Sequence, residues 1–554
     1  MRWAADRFGG MWPYALLVGL CLMLYLPGIA AIPPLDRDEA RFAQATRQML
    51  ETGDFLRIRF QDEERNRKPA GIYWLQAVAV GAFSTAASTA IWPYRLPSLV
   101  GATLAVLLTA AFAAALFGDG TEARHRGVIA AVLLASAMGV VAEAHIAKTD
   151  AALLAAVTAS QGALGLAYVR ARAGQRVNIS IAVVFWGAEI AAVLLKGPLG
   201  PLLAIVTAAT LAIADRDMRW LRGLRPVIGA IALVVAVAPW LVAIEHATKG
   251  RFLADSLGRD LLMKLTGGQQ LHGAPPLSYL LLALVTFWPG SLLLARAGIR
   301  GWQRRDRPAE RFLLAWLVPA WVLLELVPTK LPHYVLPLYP ALAMLAAAAL
   351  VDDTALPAGA WARRLDMLVG GMWVAVTIGL AALLIGLPLR FGNGVAFGGI
   401  GGAIVLLGLL AALLRYRHDP NRVAALIPAL SLAFAIPAGL SVLPGLNRLW
   451  LSQAAADLVA HHPDTAGGPL VAVGYSEPSL VFLLGTDIRL ATADRTPEIL
   501  RDGGEALVSS RDDPAFHQVL SAHGLAAQPL GHVSGLDYSN GQNLVLTLYA
   551  VAPG

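Results

Sequence analysis

From residue 12 to residue 443 the chain is a succession of apolar runs, most of them long enough to cross a lipid bilayer, and no other feature limits its fold so tightly. A hydrocarbon core about 30 Å thick takes roughly 20 apolar residues per helix. Backbone polar groups inside it must be satisfied within the segment or by closed strand pairing, and runs of this length do so as helices. The runs lie at 12–32, 95–117, 127–143, 151–169, 179–195, 197–214, 227–246, 277–295, 312–328, 333–351, 366–388, 395–414 and 423–443. Hydrophobic residues make up 57% of the chain without counting glycine, and charged residues only 15%, against about 25% charged in a soluble domain. A soluble globular enzyme, a disordered chain and a fibrous protein are thereby excluded. Cys21 is the single cysteine, so neither an intramolecular disulfide nor a cysteine-rich metal site is available. The first run follows basic residues and lacks a small-residue cleavage site, which predicts a retained span.

The basic residues that give the net charge of +7 lie mostly in loops between the runs, a topology signal rather than a nucleic-acid signal. One further apolar stretch, 71–90, either spans or lies in the interface. If it lies in the interface, the arginine-rich loops around Arg124, Arg170, Arg216, Arg304 and Arg415 all fall on the side of Arg2 and Arg7. Positive-inside bookkeeping selects that arrangement. The expectation is about thirteen spans in a bacterial inner membrane, with the N-terminus in the cytoplasm and the C-terminus in the periplasm. The six lysines, Lys68, Lys148, Lys196, Lys249, Lys264 and Lys330, all fall on the periplasmic side, whereas the cytoplasmic anchors are arginine. A compact ammonium is a usual point-charge ligand for phosphate.

After residue 444 the pattern changes. Leu470 to Val473 and Leu544 to Tyr549 read as strands, and Ser452 to Ala460 as a helix, among Gly-, Asp- and Pro-containing turns. The predicted division is 1–444, a helical membrane domain whose first outer loop (33–94) carries interfacial helices, and 445–554, a small periplasmic α/β domain.

That first loop is too charged to be a mere connector. Pro33-Pro34 ends the first span, and Asp36-Arg37-Asp38-Glu39 opens an amphipathic helix that stops at Gly53. Asp36 and Glu39 have the spacing of a capping box, which explains both without function. Asp38 is left over, and Arg41, three residues on, shares its face. Lys68 follows in a charged cluster just before the aromatic pair Tyr73-Trp74, at the depth of lipid phosphates. The second outer loop brings Glu143, His145, Lys148 and Asp150 to a junction of two spans, and ionisable residues at such depth point to a cavity. Lys196-Gly197-Pro198 and Thr329-Lys330-Leu331-Pro332-His333-Tyr334 break apolar runs on the same side, which suits an anion site. No phosphate loop, His-Glu-x-x-His, paired CxxC or Gly-x-Ser-x-Gly elbow occurs. A nucleotide-driven reaction lacks its cradle, and an activated donor that is itself a membrane lipid fits better.

At these residues the sequence resembles the bacterial branch of the protein O-mannosyltransferase superfamily, GT-C membrane glycosyltransferases, and most of all the lipid A aminoarabinose transferases. The resemblance is carried by Asp38-Glu39-Ala40-Arg41-Phe42, Arg67-Lys68-Pro69 before Tyr73-Trp74, Arg95-Leu96-Pro97-Ser98, Lys148-Thr149-Asp150, Leu195-Lys196-Gly197-Pro198, Lys330-Leu331-Pro332-His333-Tyr334-Val335-Leu336-Pro337 and Asp537-Tyr538-Ser539-Asn540-Gly541. It implies a GT-C fold and a polyprenyl-phosphate sugar donor such as undecaprenyl phosphate, used on the periplasmic face. Asp38 then matches the catalytic aspartate and Asp150 the second acidic position, while Arg41, Lys68 and Tyr334 match positions near the donor phosphate, with Lys196 and Lys330 in support. Glu39, His145, Lys148 and His333 are the remaining candidate substrate contacts. Where the aminoarabinose transferases tend to carry an acidic residue before the lysine, this chain has Asn66-Arg67. The sugar therefore stays open among aminoarabinose, galacturonic acid, mannose and glucose. The expected acceptor is lipid A or another envelope glycolipid; a protein acceptor, or transport of a lipid-linked sugar without transfer, is the alternative. Membrane lipids but no nucleic acid are expected partners. The sequence fixes no cofactor and leaves one open, a divalent cation between Asp38, Glu39 and Asp150, for which it offers no further ligands.

Overall fold

The structure is a computed structural model that describes residues 11–118, 120–256, 258, 275–352, 359–462 and 468–553. Arg2, Arg7 and Lys264 of the charge argument lie outside the described residues. The helices of the first half are α1 (Trp12–Tyr25), α2 (Asp38–Thr52), α3 (Gly71–Phe83), α4 (Trp92–Leu116), α5 (Thr121–Ser136), α6 (Met138–Ala144), α7 (Asp150–Arg172), α8 (Ile179–Lys196), α9 (Leu199–Asp215) and α10 (Pro226–Ala247). They are followed by α11 (Ser278–Thr286), α12 (Leu294–Gln303), α13 (Pro308–Leu326), α14 (Tyr339–Val351), α15 (Ala360–Phe391), α16 (Phe397–Tyr416) and α17 (Pro420–Pro437).

Among the described residues eight helices are long and apolar enough to cross a membrane, or nine if α5 and α6, bent by 63°, form one span. This is a multi-span membrane protein; besides those eight or nine of the expected thirteen, α1, α3 and α9 are shorter apolar helices of 14, 13 and 17 residues. The run 277–295 is divided into α11, a short 3-10 turn and the start of α12 at Pro289-Gly290, where proline removes a backbone donor. The most apolar stretch of α7 is 83% buried within the protein and that of α10 only 11%. Accordingly α7 carries the buried Thr158, Ser160 and Gln161, whereas α10 turns Val227, Ile228, Ile231, Val234 and Val235 outward, as a lipid-facing helix must.

In the stretch 71–90, expected at the interface, the apolar helix is short. Helix α3 has 13 residues, about 20 Å at 1.5 Å per residue, too short for a core about 30 Å thick. Gly71 opens it against α8, where a β-carbon would stand 2.5 Å from the Leu194 carbonyl oxygen. The Trp74 indole donates to the Phe55 carbonyl at 2.8 Å.

At one end of the bundle these helices are tied together by one guanidinium. Arg95, on the first turn of α4 and fully buried, donates to the carbonyls of Ile29 and Ile32 at 2.7 Å and of Pro33 at 3.0 Å. Nε and Nη2, the latter shared with Pro33, grip Glu39 at 2.8 and 2.9 Å. Glu39 in turn accepts from the amides of Leu35 and Ala147 at 2.8 and 2.7 Å. Both outer loops therefore meet on one side. Ser98, one turn after Arg95, completes the tie by donating to the Ile146 carbonyl at 2.7 Å. At the opposite end acidic residues gather the arginines: Asp352 pairs with Arg126, Arg300 and Arg304, and Asp215 with Arg172 and Arg311.

The C-terminal residues form a mixed five-stranded sheet. With β1 (Arg59–Phe60) and β2 (Glu63–Glu64) as a small hairpin in the first loop, its strands are β3 (Leu470–Val473), β4 (Arg489–Ala491), β5 (Gly504–Ser509), β6 (Leu525–Asp537) and β7 (Gln542–Pro553), in the order β4-β3-β5-β7-β6. β3 runs parallel to β4 and β5, and β7 antiparallel to β5 and β6. The expected strands and the helix α18 (Leu451–His461) are present. A short helix, α19 (Pro478–Leu484), docks this unit on the first loop. Its Phe482 is buried with Ala43, Val80, Ile91, Tyr94 and Ala147, and Arg47 of α2 donates to the Phe482 carbonyl at 2.9 Å.

Two outcomes follow from this packing. Arg95→Ala leaves the Glu39 carboxylate buried without its cation and should cost roughly 3 to 5 kcal/mol, read as a lowered thermal midpoint in detergent; an unchanged midpoint would mean that the Leu35 and Ala147 amides suffice. Beside α19, burial and then the charges of Asp36 and Asp537 push Glu477 up to about 7 from its ordinary 4.5. The folded state thus holds this proton more tightly than the unfolded chain, and its contribution to stability is lost as pH rises through that interval. Glu477→Gln, which carries no charge at any pH, should flatten the decline between pH 4.5 and 7; an unaltered pH profile would refute the cause given.

Candidate active site

The first half of the site is the start of α2. Arg37, the residue before the helix, has φ +65° and ψ −100°, an unusual backbone for a residue with a side chain. From there the chain enters α2 with Asp38 exposed. The anticipated face carrying Asp38 and Arg41 is present, and a second guanidinium joins it. Arg65, from the end of the β1–β2 hairpin, lies 3.7 Å from the Asp38 carboxylate and 4.8 Å over the Phe42 ring. Its Nη1 is buried without a hydrogen-bond partner among the described residues. Burial and the neighbouring Arg65 pull the Arg41 guanidinium down from its ordinary value, against Asp38 and Glu477. One guanidinium 3.7 Å from the carboxylate, with a spare buried donor, and a second that feels both charges form a pair suited to a phosphate. Lys68 is half-buried in the turn that leads into α3.

The second half lies where α6, α7 and α8 converge. The Lys148 ammonium sits 2.9 Å from Glu143, 3.6 Å from Asp150 and 3.2 Å from His333 Nδ1. Lys196 donates to the other Asp150 oxygen and stands 5.5 Å from the centroid of the Tyr334 ring. His333 is 3.9 Å from both Glu143 and Asp150. Because an ammonium can only donate, His333 Nδ1 must be an acceptor, which puts the imidazole proton on Nε2, towards Asp150. Burial alone would pull the Lys148 ammonium down, but Glu143 and Asp150 outweigh it and its pKa is raised. Lys148 thus stays protonated, and the network gathers two ammoniums and two acidic groups in a buried setting that neither pair would tolerate alone.

The eleven residues anticipated from sequence separate into three groups. Asp38 and Arg41 stand together at the start of α2, with Lys68 on the loop that follows. Asp150, Lys148, Lys196, His333 and Tyr334 form the second network, in which Asp150 holds two lysines. The remaining three are occupied locally. Both oxygens of Glu39 are taken by Arg95 and two amides. His145 directs its two ring nitrogens at the carbonyls of Val141 and Pro27, at 2.7 and 2.9 Å. Lys330 donates to the Val327 carbonyl at 3.3 Å. With Glu39 and Asp150 so engaged, the three carboxylates do not fit a cation site, and among the described residues no group of three metal-ligating side chains occurs. The capping box is also corrected: the Asp36 carboxylate accepts from Ser479, not from the amides of α2. The sequence placed Glu143 at the junction without giving it a role, and it did not single out Arg65. A carboxylate at the end of an apolar run is itself a signal for Glu143; Arg65 carried none within its charged loop.

No protein-family model matches the chain. An undecaprenyl phosphate-alpha-4-amino-4-deoxy-L-arabinose arabinosyl transferase of Pseudomonas fluorescens (strain Pf0-1) is 28% identical over 349 residues, 63% of this chain and 61% of its own length. The protein of the same name from Pseudomonas savastanoi pv. phaseolicola is 29% identical over 345 residues, 61% of each chain. The chain thus spans about three fifths of the length of these curated relatives. Among solved structures, ArnT from Cupriavidus metallidurans bound to undecaprenyl phosphate matches with a TM-score of 0.74 at 19% identity, over 98% of both chains. The apo Archaeoglobus fulgidus oligosaccharyltransferase matches with a TM-score of 0.53 at 14% identity, over 88% of this chain and 65% of its own. The relatives and the fold are those that the motifs anticipate: a polytopic GT-C architecture with a small C-terminal sheet domain.

If Glu143 and Lys148 act as a unit, their replacements will not add. Lys148→Met should strip Glu143 of its cation and lower the thermal midpoint, and the double variant Glu143→Leu with Lys148→Met should be less destabilised than the two single losses summed, by about 0.5 to 3 kcal/mol of coupling. A strictly additive cycle would show that the 2.9 Å contact carries no energy.

Proposed function

We propose that this chain is a glycosyltransferase that moves a sugar from a polyprenyl phosphate, undecaprenyl phosphate in a bacterium, to an envelope glycolipid such as lipid A. The observation that carries the reading is the meeting, at one end of an apolar bundle, of an exposed aspartate with two guanidiniums and a separate lysine–carboxylate network. The likeness to aminoarabinose transferases over about three fifths of their length supports it. The arginine loops at the other end support a cytoplasmic face there and a periplasmic site in the inner membrane. In this reading residues 1–444 carry the chemistry and 445–554 cover the first loop.

A polyprenyl phosphate already departs readily, so the reaction needs charge stabilisation more than a general acid. The acceptor oxygen attacks the anomeric carbon, the bond from that carbon to the phosphate oxygen breaks, and its electron pair leaves with the phosphate. One such displacement inverts the anomeric centre. Arg41, Arg65 and Lys68 take up the charge on the departing phosphate. Asp38 accepts the proton of a hydroxyl acceptor; with an acceptor phosphate, already ionised, it faces the positive charge that builds on the sugar. Lys148, Lys196 and His333, held by Glu143 and Asp150, present donors to the acceptor or to the sugar.

The test is transfer of labelled sugar from a polyprenyl-phosphate donor in purified membranes. Asp38→Asn keeps the shape and removes the charge, and should insert and fold normally yet lose turnover by at least about a hundredfold. Near-normal transfer by Asp38→Asn would remove the aspartate from the reaction, and accumulation of donor on the far leaflet without any product would indicate a transporter instead.

A further inference from the structure

The segment Asp537-Tyr538-Ser539-Asn540-Gly541 is part of the resemblance, yet it lies on the sheet domain and supplies nothing to the chemistry described so far. It is the connection between β6 and β7, and it is internally built. The Asp537 carboxylate accepts from the amides of Ser539 and Asn540 at 3.0 and 3.3 Å and from the Asn540 side chain at 2.8 Å. Gly541 supplies the left-handed residue, φ +71°, that turns the chain back into β7. So fixed, the turn presents two acceptors to the residues just before Asp38. The Tyr538 hydroxyl accepts from the Asp36 amide at 2.7 Å, and the Ser539 carbonyl accepts from the Arg37 guanidinium.

A second contact reaches the same place from α19. The Asp36 carboxylate accepts from the amide of Ser479 at 3.3 Å and from its hydroxyl. Ser479 stands in a buried chain with Ser452, 2.6 Å away, and Tyr475, 2.8 Å beyond. Burial raises the Asp36 carboxyl from its ordinary value, and the Ser479 and Tyr538 bonds oppose that rise. Between these two grips lies Arg37, at φ +65°. A residue with a side chain keeps such a backbone only when its surroundings over-determine it. Here the over-determination comes from a part of the chain some 500 positions away.

We infer that the 538–541 turn and Ser479 are positioning elements for Asp38: by holding Asp36 and Arg37 they fix the backbone from which the Asp38 carboxylate projects. The inference rests on the proposed role of Asp38, and it assigns the sheet domain a part in the reaction without contact to any reacting atom. Small displacements of a reacting group are costly, with about 1 Å worth up to a hundredfold in rate.

Four variants in the full-length protein test this: Tyr538→Phe, which removes the acceptor of the Asp36 amide; Asp36→Ala and Asp36→Asn, which lose and keep an acceptor for Ser479; and Arg37→Gly, which loses the anchor but permits the backbone. Tyr538→Phe and Asp36→Ala should each lower kcat by about ten- to a hundredfold while the KM for the polyprenyl-phosphate donor stays within about twofold, since Arg41, Arg65 and Lys68 are untouched. Asp36→Asn should recover most of the Asp36→Ala loss, and Arg37→Gly should fall between wild type and Tyr538→Phe. Unchanged kcat in both Tyr538→Phe and Asp36→Ala, or losses confined to donor KM, would overturn the inference. Amide hydrogen exchange of a peptide covering residues 36–42 needs no turnover and should speed up in Tyr538→Phe. If the wild type itself transfers no sugar, the proposed function fails alone and the exchange measurement decides the clamp, equal exchange rates refuting it.

Discussion

Arg95 and Glu39 form a fully buried ion pair, and most of what stands at the outer end of the bundle hangs on it. Two charges removed from water gain little net stability from each other unless their remaining donors and acceptors are met. Here they are. The guanidinium spends its remaining N–H donors on three carbonyls after α1, and the carboxylate also accepts from two amides from different loops. The pair therefore works as a junction more than as a source of free energy. It fixes where α1 ends, where α2 begins and where the loop bearing Lys148 passes. Asp38 sits one residue from Glu39, and Lys148 one residue from Ala147, so both halves of the site inherit their places from this contact.

The site itself uses two kinds of cation in two ways. Around Asp38 the cations are guanidiniums, planar and always charged, one over a phenyl ring and one pulled down by its neighbour. In the second network they are ammoniums, compact and each bound to a carboxylate. Forked donors suit an ion that arrives and leaves with two or three oxygens exposed; point charges locked to acids suit a wall that must keep its shape. At the opposite end of the bundle arginine again dominates, but there Asp352 and Asp215 draw several guanidiniums each, which ties helix ends together where the chain meets the other face.

The sequence likeness to the curated relatives covers about three fifths of their length, whereas the likeness of fold to a solved structure extends over 98% of the chain. Membrane helices allow this. On a lipid-facing surface such as that of α10 any apolar residue serves, so sequence can drift while the helix stays. The sheet domain has a different freedom. Its interior needs only apolar strands, and its fixed points are the few residues of α19 and the 538–541 turn that meet the first loop.

What the sequence determined by itself was everything set by composition and short spacing. Runs of about 20 apolar residues can only be helices in a bilayer. Arginines gathered in alternate loops orient them. The same bookkeeping places the 71–90 stretch at the interface as an expectation, and ionisable residues at the ends of spans mark a candidate site. Those rules reached Asp38, Arg41, Lys148, Asp150 and Lys196. They did not show that proline and glycine divide the run 277–295, whose composition still looks continuous. They misassigned Asp36, because capping is a pattern over three residues and Ser479 lies 443 positions away. Only the tertiary structure decided that Glu39 belongs to Arg95, that Arg65 faces Asp38, and that Glu143, Lys148 and His333 share one network across 185 positions. The physical reason is common to all three: a buried charge must find a partner, but nothing local tells it which of many polar or charged groups the fold will bring within about 4 Å.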